Sequence, residues 1–155
     1  MSTLLEVNNL QTFFFTGEGL IKAIAGIDFT IDHGETLALV GESGCGKSMT
    51  ALSLLRLVPE PGRIVEGKIR FDGADLLRMP EEEIRRVRGN RIGMIFQEPM
   101  TSLNPVFRIG DQIMESLQLH RGHSKQEATE IAIELLHKVG IPAAEQRIKD
   151  HPHQL

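Results

Sequence analysis

The feature that most constrains this 155-residue chain is the segment 41–48, which reads GESGCGKS. Its spacing is G-x-x-x-x-G-K-S, a glycine-rich loop that needs a strand before it and a helix after it. The apolar run at residues 36–40 predicts a buried strand, and residues 47–58, which contain neither proline nor glycine, predict a helix. The chain is therefore predicted to have an α/β core built around this loop.

The same loop predicts a phosphate-binding site. Backbone N–H groups of such a loop point inward around a phosphate, and the positive end of the helix dipole attracts the anion. The motif assigns Lys47 to the β- and γ-phosphates and the Ser48 hydroxyl to Mg²⁺, so MgATP is the expected ligand class. The predicted contacts are Gly41, Glu42, Ser43, Gly44, Cys45, Gly46, Lys47, Ser48 and Met49. The alternative is a glycine-rich turn that binds nothing, which the flanking strand and helix disfavour.

Composition narrows the class of protein. Hydrophobic residues make up 41% of the chain and charged residues 25%, which is the balance of a globular domain with a core. The net charge of −4, without a long basic run, argues against nucleic acid as a partner. Cys45 is the single cysteine, so an intrachain disulfide and a cysteine-based zinc site are excluded. We expect no signal peptide and no membrane span in these residues.

The sequence of the first half of the chain predicts mostly strands. Residues 4–10 and 27–31 alternate partially between apolar and polar side chains, and residues 66–71 alternate before the turn signal Asp72-Gly73. Pro80 is followed by three glutamates, which suit the first turn of a short helix.

The second half predicts helices between residues 109 and 139. Ser124 and Glu127 have the spacing of a capping box, and Gly140 and Pro142 mark the end of the helix that follows. The predicted apolar stripe of that helix is Ala128, Ile131, Ala132, Leu135, Leu136 and Val139. We therefore expect a β-rich nucleotide-binding core at residues 1–97 and a helical part at residues 98–155.

Gln97 is the second candidate site residue. Residues 91–96 predict another buried strand that runs directly into it. A polar side chain at the carboxyl end of a strand in an α/β core faces the ligand crevice. Gln97 can offer an amide oxygen to Mg²⁺ and an N–H to an attacking water. The predicted catalytic residues are thus Lys47 and Gln97, and the predicted metal ligands Ser48 and Gln97; the alternative for Gln97 is an ordinary polar residue in a loop.

Three segments together carry a family resemblance. GESGCGKS, the Gln97 loop reading FQEPMTSLNPVF, and the helical segment ending in HPHQL resemble the ATP-binding subunits of ABC transporters. Within that superfamily the chain resembles the peptide/nickel import group, which includes oligopeptide, dipeptide, glutathione and nickel systems. The resemblance covers residues 4–155. It implies an ABC-type P-loop NTPase core with an antiparallel β start, followed by the beginning of the helical subdomain, and so an incomplete cassette.

The resemblance also implies roles and partners. Phe13 holds the place of the aromatic residue that stacks on adenine, with Phe15 as the rival and a core phenylalanine as the alternative. A second ATPase subunit is expected as partner, a paralogue in a heterodimer, and permease subunits are expected to contact the loop 98–106 and the helical part. An extracytoplasmic solute-binding protein acts indirectly. The location implied is peripheral, on the cytoplasmic face of the inner membrane.

The sequence departs from the family where it ends in HPHQL. Family members continue with a Ser-Gly-Gly signature, a second Mg²⁺-binding Asp with the catalytic Glu, and a switch His. We therefore expect the 155-residue chain alone to be marginally stable and nearly inactive. The alternatives are a truncated, hydrolysis-incompetent nucleotide-binding module or gene remnant, a non-transport ABC protein, and an unrelated P-loop kinase.

Overall fold

The computed structural model of the protein describes residues 2–96 and 102–154. It forms two compact units, residues 1–85 and 86–155, which are considered separately below. A division by compactness does not show which residues bind nucleotide. The boundary expected at residue 97, between the nucleotide-binding core and the helical part, therefore stays a prediction. Gln97 itself lies outside the described residues.

The first unit is built on an antiparallel sheet. Strands β1 (Thr3–Thr16) and β2 (Gly19–Asp32) form a long hairpin, and β3 (Gly62–Phe71) pairs with the other edge of β1. A short strand β4 (Ala74–Asp75) completes the order β2-β1-β3-β4. The strands predicted at residues 4–10, 27–31 and 66–71 are confirmed, and the antiparallel β start with them.

A β-bulge explains why the alternation in β1 is only partial. Val7 and Leu10 are both fully buried although they are three residues apart, and the register shifts between them. Asn9 has a φ of 44°, and Gly67 on β3 approaches so closely that a Cβ there would lie 2.7 Å from the Asn9 carbonyl oxygen. The extra residue restores the inward face after the bulge, as bulges commonly do.

Helix α1 (Lys47–Leu54) follows the glycine-rich loop and packs against the sheet through buried hydroxyls. Ser53 Oγ donates to the Met49 carbonyl oxygen at 2.7 Å, so Thr12 Oγ1 on β1 donates to Ser53 Oγ at 2.9 Å. Thr12 and Ser53 are both fully buried. The helix ends before residue 58, the predicted end, because Arg56 takes a left-handed φ of 53°.

Two predicted strands are wrong. Residues 36–40 form no strand and are exposed, with Val40 91% exposed, while residues 93–96 form none and leave Ile95 97% exposed. Ile92 makes an isolated bridge with Arg88. An apolar run becomes a buried strand only where neighbouring strands complete its hydrogen bonds, and within the described residues no strand lies beside these two runs.

The predicted turn and short helix are both present. Asp72 and Gly73 take φ values of 49° and 79°, which is the left-handed pair that a tight hairpin turn between β3 and β4 requires. Helix α2 (Glu81–Val87) carries three glutamates in its first turn and buries Ile84 completely.

The second unit is helical. Its helices are α3 (Ile109–Arg121), α4 (Lys125–Lys138) and α5 (Ala144–Arg147), followed by a 3-10 turn at Pro152–Gln154. Its core consists of Ile109, Met114, Ala128, Ala132, Leu136, Ala144 and Ile148. None of the helices described, in either unit, is long and apolar enough to cross a bilayer.

The apolar stripe predicted for α4 is only half right. Ala128, Ala132 and Leu136 are buried, whereas Leu135 is 41% exposed and Val139 73% exposed. The buried residues are spaced four apart, so they form one row along the helix, and two of them are alanines that allow close packing against α3 and α5. The capping box of Ser124 and Glu127 is confirmed.

Candidate nucleotide-binding site

The glycine-rich loop between residues 41 and 46 takes a conformation that depends on its glycines. Gly44 and Gly46 have φ values of 82° and 95°, in the left-handed region that other residues rarely enter. A Cβ on Gly46 would lie 2.5 Å from the Ala23 carbonyl oxygen, so the loop packs tightly against β2. A side chain at residue 46 would separate the loop from this strand.

Lys47 closes the loop on itself. Its ammonium donates to the carbonyl oxygens of Gly41 and Glu42, each at 2.7 Å, and lies 3.4 Å from the Cys45 Sγ. The side chain thus joins the first residue of α1 to the first two residues of the loop. This holds the positive charge of Lys47 beside the backbone of the loop.

The first N–H groups of α1 are available for an anion. Gly46, the residue before helix α1, offers no side-chain cap, and the first turn of the helix has no acidic residue. In the part of the chain that the structure describes, the N–H groups of Gly46, Lys47 and Ser48 donate to no acceptor, whereas the Cys45 N–H donates to the Glu42 carbonyl at 3.3 Å. A phosphate fits this set, because it would satisfy the orphan donors and the positive helix end together.

Ser48 and Cys45 complete the loop. The Ser48 side chain is exposed in the first turn of α1, and a hydroxyl oxygen there suits Mg²⁺ beside phosphate oxygens. Cys45 packs over Gly41, since a Cβ on Gly41 would lie 2.5 Å from its sulfur. The predicted contacts at residues 41–49 therefore come together in one loop and helix start, while Gln97 lies outside the described residues.

Two aromatic rings near the end of β1 each carry a cation. The Lys22 ammonium lies 5.5 Å from the centre of the Phe13 ring, and the Arg63 guanidinium lies 4.8 Å from the centre of the Phe15 ring. Phe13 is half-buried and Phe15 is 46% exposed. The choice of Phe13 over Phe15 as the stacking residue stays a prediction. The sequence pattern did not indicate that Lys22 and Arg63 would lie over these rings.

The helical unit contains a separate concave surface, which we call the α3 groove. It has a volume of about 760 Å³ and is lined by Phe107, Asp111, Gln112, Met114, Glu115, Gln118, Leu119 and Lys125. The Gln112 side chain holds the segment before α3 by donating to the carbonyl oxygens of Asn104 and Phe107 at 2.9 and 3.1 Å. The family resemblance implied a contact of the helical part with permease subunits, but no pattern in the sequence indicated the individual residues of the groove.

Comparison with known proteins decides the family. The ABC transporter family model matches residues 24–155, which is most of the chain. The chain belongs to the ABC transporter family. The β-rich start, the loop at residues 41–48 and the helical unit are thus parts of an ABC ATPase cassette, as the resemblance implied.

Similar curated proteins are ATP-binding proteins of peptide systems. The chain is 53% identical over 156 residues to the oligopeptide transport ATP-binding protein AppD of Bacillus subtilis (strain 168), covering 100% of this chain and 48% of AppD. It is 48% identical over 153 residues to the oligopeptide transport ATP-binding protein OppD of Salmonella typhimurium (strain LT2), covering 99% and 45%. The chain therefore spans about half the length of the curated relatives it matches.

Solved structures show the same cassette fold. A dimeric ATP-binding cassette in a post-hydrolysis state bound to ADP and Pi matches with a TM-score of 0.81 and 25% identity, covering 97% of this chain and 62% of that one. A dimeric bacterial ABC transporter cassette matches equally well. The fold described here is therefore that of an ABC ATPase, of which the chain covers part.

Proposed function

We propose that this protein binds MgATP as an ATPase subunit of a peptide-type ABC importer, coupling ATP binding and hydrolysis to transport of peptides or related small solutes. The observation that carries the proposal is the loop at residues 41–48, where the Lys47 ammonium lies against the carbonyl oxygens of Gly41 and Glu42 and the first N–H groups of α1 have no side-chain cap. The names of the similar ATP-binding proteins support the peptide class.

The residues of the loop divide the work on the phosphate chain. Lys47 places its charge on the β- and γ-phosphates, and the N–H groups of Gly46 to Ser48 bind phosphate oxygens. Ser48 would hold Mg²⁺, and in this proposal Gln97 would share that role and orient the attacking water. When bound, Mg²⁺ neutralises charge on the transferring phosphoryl group. Phe13 supplies a π-face for adenine.

The proposed partners follow from the cassette type. A second ATPase subunit, a paralogue, would close on the nucleotide, in keeping with the dimeric state of the matching cassettes. Permease subunits would contact residues 98–106 and the α3 groove, near which Val106 and Phe107 are 74% and 56% exposed. The solute-binding protein would act only through the permease, and the ATPase would sit peripherally on the cytoplasmic face of the membrane.

For residues 1–155 alone we propose nucleotide binding without efficient turnover. The sequence after Gln97 contains no apolar segment followed by Asp-Glu, the pair that the resemblance assigns to the second Mg²⁺ ligand and the general base. Positioning of water and stabilisation of charge both require groups beyond Lys47 and Ser48. The groups present are sufficient to bind the phosphate chain.

Substitution of the loop lysine tests nucleotide binding directly. Lys47→Ala removes the cation and the two hydrogen bonds that close the loop, and we expect MgATP affinity in equilibrium dialysis to fall by at least about tenfold. Lys138→Ala is the matched control, because Lys138 is an exposed lysine of α4 paired with Glu134. Equal affinity in wild type and Lys47→Ala would contradict the proposed site.

A further inference from the structure

The Phe13 ring and the Lys22 ammonium belong to one cross-strand pair of the β1–β2 hairpin. Phe13 lies opposite Lys22 in the register, and the ammonium is 5.5 Å from the centre of the ring. Lys22 is exposed and Phe13 half-buried, so the contact lies at the surface of the sheet. A cation at this distance is attracted by the negative face of the ring.

The residues adjacent to this pair both contact the phosphate-binding element. Thr12, next to Phe13, bonds to Ser53 of α1 at 2.9 Å. Ala23, next to Lys22, places its carbonyl oxygen against Gly46, where a Cβ would lie 2.5 Å away. Phe13 therefore follows directly after a residue that contacts helix α1, and Lys22 comes directly before a residue that contacts the loop.

We infer that Lys22 is a positioning residue for the nucleotide base, holding the Phe13 ring in the orientation in which that ring stacks on adenine. This inference rests on the proposed function. Without a cation, a half-exposed phenylalanine can rotate about its side-chain torsions, and nucleotide binding must then order it. With Lys22 in contact, part of this ordering has already occurred.

The Phe15 ring provides an internal comparison. Its cation, Arg63, comes from β3 and lies 4.8 Å from the ring centre. The two pairs have the same chemistry, but Phe15 is three residues from Thr12 and so is not adjacent to the contact with α1. The pair formed by Phe15 and Arg63 should consequently have no effect on base binding.

Lys22→Met in the intact protein removes the charge and keeps the length of the side chain. An exposed cation–π contact is worth a factor of about two to five, so we expect MgATP affinity to fall by that factor. Affinity for magnesium tripolyphosphate, which has no base, should stay unchanged. Lys22→Arg should restore wild-type affinity for MgATP, and thermal unfolding should show that each variant folds.

Two controls locate the effect on the ring. In a Phe13→Leu background, Lys22→Met should have no further effect, because the ring that it positions is gone. Arg63→Met should leave affinity for both ligands at the wild-type level.

Three results would overturn the inference. The first is an equal loss of tripolyphosphate affinity in Lys22→Met, which would place Lys22 on the phosphate chain. The second is a loss of MgATP affinity on Lys22→Met that is just as large in the Phe13→Leu background. The third is a loss of MgATP affinity in Arg63→Met without one in Lys22→Met. Failure of the proposed function looks different, since wild-type protein would then bind neither MgATP nor tripolyphosphate, and Lys47→Ala would change nothing.

Discussion

At the scale of single residues, the hydrogen bond between Thr12 and Ser53 links the sheet to the helix after the loop. Thr12→Val removes the donor but leaves Ser53 bonded to the Met49 carbonyl, so we expect a loss of about 1 kcal/mol in the free energy of unfolding. Ser53→Ala leaves the fully buried Thr12 hydroxyl without an acceptor and should cost more, about 1–3 kcal/mol. Chemical denaturation measures both.

The double variant Thr12→Val with Ser53→Ala is the control for this pair. With both polar groups removed, the loss should be smaller than the sum of the two single losses, because no buried hydroxyl is left unpaired. Simple additivity would show that the two hydroxyls do not depend on each other.

Residues in the loop could be predicted from sequence because the chemistry fixes both their identity and their spacing. Gly44 and Gly46 need positive φ, and Lys47 must follow the last glycine to reach back across the loop. The cations on Phe13 and Phe15 could not be predicted, because each depends on the register of a neighbouring strand, and a single bulge changes that register.

At the scale of elements, the capping box of α4 makes the stability of that helix depend on pH. The Glu127 carboxylate accepts from the Ser124 hydroxyl and from the Ser124 N–H, both at 2.8 Å. The side-chain hydrogen bond from Ser124, then the backbone one, hold the pKa of Glu127 below its ordinary value of 4.5. A lowered folded-state pKa gives stability that is present above pH 4.5 and lost as the pH falls through the lowered pKa.

We therefore expect the thermal midpoint of the wild-type protein to fall with acidification more steeply than that of Glu127→Gln. Glutamine keeps a side-chain oxygen for the capping box and does not titrate. Circular dichroism melts from about pH 6 to about pH 3 measure the two thermal midpoints. The difference between them should change with pH only below about pH 4.5. Parallel curves for the two proteins would show that the capping carboxylate does not couple to folding.

Local signals predicted the elements that local interactions form. The hairpin at Asp72-Gly73, helix α2 and the ends of α4 depend on turn and capping residues close in sequence. The strands predicted at residues 36–40 and 91–96 are absent because such strands require neighbouring strands from elsewhere in the chain, and an apolar sequence alone does not provide them.

At the scale of the whole molecule, the apolar side chains left exposed by those two runs should dominate the behaviour of residues 1–155 in isolation. Val40, Ile95 and Phe96 are 91%, 97% and 50% exposed. We expect the purified 155-residue polypeptide to bind a hydrophobic dye such as ANS strongly and to show almost no ATPase activity. The control is a protein of the length of the curated relatives, which should bind little dye.

Two outcomes would contradict this prediction. ATPase activity of the isolated polypeptide at the level of a complete cassette would show that residues 1–155 contain all the groups that turnover needs. Dye binding no greater than that of the longer protein would show that the apolar runs are covered within these residues.

The β1–β2 hairpin also has a consequence for the order in which the protein is made. Phe13 and Lys22 are nine residues apart and are joined through a two-residue turn at Gly17-Glu18, so their contact needs only the first part of the chain. Hairpins of this kind form in about 1–10 μs, whereas a ribosome adds about 5–20 residues per second. The contact between Phe13 and Lys22 can therefore form before Lys47 has left the ribosome, and the glycine-rich loop would then fold onto an existing surface.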